Sequence, residues 1–348
     1  MKPKLIFALK AVFLIFVIAY LSANPAEVAF NCRKALELCA FSVIPSLFMY
    51  TVLCTFCAYF FSSHIQGGKA AHVIQCILGF FSGCAPSVHG VCVMYKTGSI
   101  SKRSAECMLV LLPSCSVPFM LSFCSLFTDG MQNAFIIAFS NILACITAYL
   151  ILCTKQPLRQ KNNGAGGVQK LSFSHMFTSS VTKSAVSLIS MCSFIIFFRV
   201  VSSMLSGLAV KHGLVSSLSE SILSAFFEVT GAIASSTAFG ENARLMFIGA
   251  AVGFSGLSII MQVCSICGDE GLSAKDFIFS RLLCTLLTPL YTLLLLFLIP
   301  SSVPASALWD TTLSESSVNS FILIFTSVII LLTVCVFLYI DKKYKKSR

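Results

Sequence analysis

Apolar runs longer than the roughly 18 residues that a helix needs to cross a bilayer recur along this 348-residue chain. Inside hydrocarbon no water can pair with the backbone, so each run must satisfy its own N–H and C=O groups, and a helix does so. Only 11% of the residues are charged and 57% are hydrophobic, against about 25% charged in soluble domains. The fold class that follows is all-α: a polytopic integral membrane protein of about 8–10 membrane segments.

The formal charge of +11 does not read as a nucleic-acid footprint, because the basic residues gather in short loops and at the chain ends. Met1-Lys-Pro-Lys4 and Asp341-Lys-Lys-Tyr-Lys-Lys-Ser-Arg348 read as cytoplasmic anchors under the positive-inside rule, placing both termini of a multi-pass cell-membrane protein inside. The expected partner of that charge is a bilayer with anionic headgroups, and no nucleic acid. Seventeen cysteines are spread through the apolar runs, where the thiol acts as a small apolar group, so reduced thiols are expected and no disulfide framework. Cys54-Thr-Phe-Cys57 and Cys264-Ser-Ile-Cys267 match a redox or metal spacing, but no histidine cluster accompanies them. Neither a metal nor another cofactor is expected.

Taken in order, residues 1–24 form an N-terminal membrane anchor. Its apolar run, Leu5 to Leu21, could also be a signal peptide, but a cut after Ala23 lacks the small residue it needs three places before. Residues 25–153 make a first membrane half: a span over Leu36–Phe61 bent at Pro45, a broken segment over Val73–Tyr95, and spans over Cys107–Phe127 and Met131–Cys153. The broken segment either crosses or dips in and returns. If it returns, Lys96, Lys102 and Arg103 fall on the cytoplasmic side with Lys69, which favours that reading. A basic, glycine-rich linker over 154–177 divides the chain, and a second half follows over 178–300. Within it Val181–Leu208 carries an interior Arg199, and Ile222–Gly240 reads as a hairpin broken at Thr230-Gly231. An external loop and last span (301–340) and a basic cytoplasmic tail (341–348) complete the chain.

The glycine breaks supply candidate site residues. Ser82-Gly83 and Ser255-Gly256 are each followed by a glycine fifteen positions on, and then by Ile100-Ser101 and Leu272-Ser273, where serine can cap a new helix. Paired breaks in two halves point to a transporter-like site, because interrupted helices free backbone groups that can hold a solute. Close helix packing through small residues is the plainer explanation. Glu228 is a carboxylate within an apolar segment, and such groups mark ion or proton paths or else form ion pairs, for which Arg199, Arg244 and Arg281 are the available cations. Gln262 must pair with another helix or a solute. His89, three residues after Pro86, reads as a hydrogen-bonded helix residue before it reads as a ligand, and Pro113 and Pro118 break a helix around Ser114-Cys-Ser116. No Walker loop, zinc-protease helix or serine-nucleophile elbow occurs, so no catalytic residues are assigned and no enzyme is expected.

Seven short pieces, in order, resemble the sporulation integral membrane proteins of the YlbJ type, which carry the Gate or nucleoside-recognition domain. In the first half they are Val43-Ile-Pro-Ser-Leu-Phe48, Ser82-Gly83 with Pro86, Tyr95-Lys-Thr-Gly98 with Ile100-Ser101, and Ser116-Val-Pro-Phe119. In the second they are Phe227-Glu-Val-Thr-Gly231, Gly253-Phe-Ser-Gly-Leu-Ser258 with Gln262-Val263, and Ser280-Arg-Leu-Leu283. The resemblance covers roughly residues 25–300 and brings Thr230, Gly231 and Arg281 into the candidate set. Two departures shift polar groups in the first half: the family's Ser-Gly-Tyr-Pro-x-Gly is here Ser82-Gly-Cys-Ala-Pro86, and Ser114-Cys115 stand where relatives tend to carry two asparagines.

What the resemblance implies is a role in endospore formation, particularly cortex assembly, in a spore-forming Gram-positive bacterium. The expected activity is transport or sensing of a small polar solute at broken-helix sites. The alternative is a non-transporting membrane scaffold for spore-envelope proteins, and a second copy of the chain or other sporulation membrane proteins stand as further partners.

Overall fold

A computed structural model of the chain describes residues 3–64, 69–128, 130–153, 172–211 and 217–298. Among these residues there are helices and turns and no strand. Five helical stretches are long and apolar enough to cross a membrane: Pro25–Phe60, Met131–Cys153, Phe173–Ala209, Glu241–Asp269 and Lys275–Leu298. Large apolar side chains face outward along them, with Phe41 81%, Phe297 79% and Leu286 73% exposed, a surface that suits lipid and not water. The chain is an all-α membrane protein.

After α1 (Pro3–Ala23), α2 (Pro25–Leu38) and α3 (Ile44–His64) form one path joined by a π turn over Cys39–Val43. The bend expected at Pro45 therefore takes the form of a widened turn just before it. Proline cannot donate and its ring crowds the carbonyl four residues back, and the wider turn relieves that crowding while Ile44 N–H bonds Cys39 O.

The element order then repeats. In the first half a helical hairpin, α4 (Lys69–Ser82) and α5 (Cys84–Lys96), precedes an interrupted helix, α6 (Lys102–Leu111) and α7 (Val117–Phe123), and a continuous helix, α8 (Met131–Cys153). After α9 (Phe173–Lys211) the same order returns: the hairpin α10 (Ser217–Phe227) and α11 (Val229–Ser235), the interrupted helix α12 (Glu241–Phe254) and α13 (Gly256–Asp269), and the continuous α14 (Lys275–Leu298). Fold-back is plain in both hairpins. Gln75 on α4 donates to Ser87 O on α5 at 3.4 Å, and Ser221 on α10 donates to Ser235 O on α11 at 3.3 Å. The segment over Val73–Tyr95 therefore returns on itself.

Several expected boundaries move. The echo between Ser82-Gly83 and Ser255-Gly256 joins breaks of different kinds, a hairpin tip and a kink in a span. By order, the counterpart of α4–α5 is α10–α11. The glycine-broken stretch around Ser255-Gly256 is the second part of an interrupted span that begins at Glu241. Phe173–Phe177, assigned to the linker, already belongs to α9, whose first turn is capped by Ser172 Oγ accepting from His175 N–H. Linker residues 154–171, the loop and span over 301–340 and the tail over 341–348 lie outside the described residues.

At one end of the bundle charged side chains tie the halves together. Lys96 pairs with Glu270 at 2.8 Å, Arg103 pairs with Asp276, and Glu106 accepts the Ser273 N–H at 3.0 Å. The hydrogen bond that Lys96 donates to the Glu270 carboxylate holds the ammonium above its ordinary pKa. Deeper in, α12 and α14 pack closely where Gly253 lies against the Cys284 carbonyl. Gly253→Val should therefore lower stability by about 1–3 kcal/mol through overpacking. Gly268→Ala, on a face with open space, should raise it by up to about 1 kcal/mol. Thermal unfolding of the purified protein in detergent checks both.

Candidate functional site

Four helix interruptions occur within the described membrane region, and residues from all four meet. The α4–α5 tip contributes Ser82 and Gly83, and the gap between α6 and α7 contributes Ser114, Cys115 and Ser116. The α10–α11 tip contributes Glu228, Val229 and Thr230, and the first turns of α13 contribute Ser258 and Gln262. Between them lies a cavity of about 50 Å³, room for a few water molecules. Val43, Phe119 and Ile195 close it on the apolar side.

Each interruption has a local cause. Gly83 stands at φ 82°, a conformation open to glycine and strained for other residues. At the next break Pro113 and Pro118 deny the helix two donors, and Ser116 starts α7 by accepting the Phe119 N–H at 3.2 Å. The second hairpin turns at Glu228, not at Thr230-Gly231 as expected. Extended backbone at Glu228 (φ −154°, ψ 134°) lets its carboxylate cap α11, accepting from Gly231 N–H at 2.8 Å and from the Thr230 hydroxyl. Thr230 and Gly231 thus lie in the first turn of α11. At the fourth break Ser255 is the only non-glycine at positive φ among the described residues, followed by Gly256, where a Cβ would stand 3.1 Å from the Glu228 backbone.

The breaks also serve one another. Ser114 donates to the Val252 carbonyl, where the ladder of α12 ends. Arg281, wholly buried on α14, donates to the Val110 carbonyl at 3.2 Å at the end of α6, and its guanidinium lies 4.9 Å from the Phe277 ring centre. Arg281 lies outside the cavity lining, placed where the α6 dipole is negative, with Nη1 buried and without a hydrogen bond. No ion pair forms between Glu228 and Arg199, Arg244 or Arg281 among the described residues; Arg244 donates to the Phe127 and Phe239 carbonyls instead.

Of the candidates drawn from sequence, Ser82, Gly83, Ser114, Ser116, Glu228, Thr230 and Gln262 line the cavity. Gly256 abuts Glu228 from behind and Ser255 sets the kink. Pro86 is buried within the first turn of α5, and His89 lies half-buried further along it, outside the lining and without a hydrogen bond among the described residues. Ser258 was not among the candidates, yet it lines the cavity one helical turn before Gln262; that i, i+4 spacing is the signal that marks it. Ser258 Oγ and Gln262 Nε2 are buried and have no partner, although an unpaired polar group costs about 1–3 kcal/mol. No group of three or more metal-ligating side chains gathers among the described residues.

The fold and this site define a class: an α-helical membrane protein with an internal cavity, mostly apolar and carrying a few polar groups, built from interrupted helices. No family model, curated protein or solved structure matches the chain.

The two kinds of serine around the cavity should separate by stability. Ser116→Ala removes a cap and should cost about 1 kcal/mol. Ser258→Ala and Gln262→Leu break no hydrogen bond and should leave the melting temperature unchanged or raise it, as thermal unfolding in detergent would read.

Proposed function

We propose that the protein binds a small polar solute in the cavity among its four helix breaks and moves it across, or senses it at, the membrane. The observation that carries this reading is the pair of buried, unpartnered groups, Ser258 Oγ and Gln262 Nε2, beside the Glu228 carboxylate. A protein selected only for tight packing would pair or replace such groups. Donors and a carboxylate facing one small space suit a ligand that offers both acceptors and a donor, with Glu228 taking a proton, a cation or a polar group of the solute. At about 50 Å³ the space admits water and small ions, so a larger solute enters only when one half moves against the other.

The likeness to YlbJ-type sporulation proteins, carried by the seven short pieces, extends the proposal to endospore cortex formation in a multi-pass cell-membrane protein with cytoplasmic termini. No catalytic role is part of it. The test is uptake by the purified protein in lipid vesicles, screened against nucleosides and cell-wall precursors. We expect uptake of one of these by the wild type, a loss of tenfold or more in Glu228→Gln and Gln262→Ala, and tolerance of substitutions in the basic tail. Uptake by Glu228→Gln equal to wild type at every pH would refute the role of the carboxylate. No movement or binding of any solute, with dependence on loops or tail, would favour a membrane scaffold.

A further inference from the structure

On the other side of the α10–α11 hairpin lies a second cavity of about 410 Å³, walled by α2, α9 and the hairpin. Its size is that of small-molecule pockets. The lining is polar: Ser202, Ser203 and Ser206 from α9 face Ser224 and Ser235 from the hairpin.

Three charged side chains line it, and they differ in how they are satisfied. Glu27 is engaged, accepting from Ser203 Oγ at 3.0 Å and from the Tyr20 hydroxyl at 3.3 Å. Arg199 and Glu220 have neither a hydrogen bond nor an ion pair among the described residues, although both line the same space. An arginine and a glutamate free to approach would ordinarily pair; here neither makes an ion pair, and the carboxylate recorded near Arg199 is that of Glu228, whose Oε2 stands 3.8 Å from the same Gly231 Cβ position.

Their placement is ordered. Arg199 is half-buried against the backbone of the hairpin, with Nη1 3.1 Å from where a Gly231 Cβ would stand and Ser224 Oγ 2.5 Å from the same point. Glu220 is exposed, one helical turn before Ser224 on α10, a rise of about 6 Å. The anion site is therefore the more enclosed of the two, and the cation site is at the mouth of the same cavity. A ligand with one charge would leave the other residue unmet, whereas a compact zwitterion meets both.

We infer that this cavity is a second binding site, for a small zwitterion of the free amino-acid class, with the ligand carboxylate on Arg199 and its ammonium on Glu220. The guanidinium fork suits a carboxylate, and the serines supply further donors. This site does not depend on the reading given to the inner cavity.

The test is equilibrium binding of radiolabelled glycine to the full chain in lipid nanodiscs, with acetate and methylammonium as single-charge competitors. We expect saturable binding at millimolar glycine or below, with each competitor at least tenfold weaker. Arg199→Gln and Glu220→Gln should each weaken binding tenfold or more, and Arg199→Lys, which keeps the charge and loses the fork, should weaken it less than Arg199→Gln does, which separates loss of charge from loss of fold. Gly268→Ala, outside both cavities, should bind glycine as the wild type does. Absence of saturable binding, or binding unchanged in both glutamine variants, would overturn the proposal. Loss in Gln262→Leu equal to that in Arg199→Gln would assign the ligand to the inner cavity and overturn it as well.

Discussion

A backbone N–H or carbonyl without a partner in hydrocarbon costs several kcal/mol, and among the described residues four helices are interrupted within the membrane region. Those interruptions must be held inside and must find partners. They do so largely from one another and from a few side chains: Ser114 reaches the Val252 carbonyl, Arg281 reaches the Val110 carbonyl, Ser116 and Glu228 cap the short helices that follow their breaks, and Ser87 donates to Gly83 O. The remaining architecture follows from this need. Long apolar helices such as α3, α9 and α14 turn large side chains outward, while the broken segments occupy the interior. The cavity is what remains where the breaks come closest.

The sequence conveys the long helices well and the interruptions less well. Met131–Cys153 is read with the bounds it has, because an unbroken apolar run has only one way to sit in a bilayer. Both hairpins are legible from glycine, proline and loop charge. The turn at Glu228 is misplaced by two residues when Thr230-Gly231 is taken as the breaker, because glycine is then weighed as a helix interrupter while the carboxylate's capacity to cap is overlooked. Arg281 shows the limit more clearly. A cation in an apolar span suggests a ligand or an ion pair, and what it meets is a carbonyl 171 residues earlier in the chain, exposed by a break whose consequences no local pattern carries. The outer cavity is harder still, since α2, α9 and the second hairpin are brought together only by the fold.

The two cavities share a thin partition. At Gly231 the Glu228 carboxylate and the Arg199 guanidinium come near one point, 3.8 and 3.1 Å from the position a Cβ would take. Opposite charges so near one point ordinarily close into an ion pair; here the carboxylate is held away by the N–H of Gly231 and the hydroxyl of Thr230. A methyl group at Gly231 would press on Ser224 and Arg199 together. The smallest residue thus sets the distance between the compartments.

Ser82 and Ser116, on the inner cavity's first wall, precede Glu228 and Gln262, on its second, by more than a hundred residues of chain. At ribosomal rates of about 5–20 residues per second, the early half waits on the order of ten seconds in the bilayer before its counterpart arrives. The hydrogen bonds that each half carries within itself matter most then. Ser82 with Ser87, and Ser116 with the Phe119 N–H, keep the first half's polar groups occupied through that interval. Ser258 and Gln262, two cavity groups without partners, enter only after that interval, when the first wall is already in place.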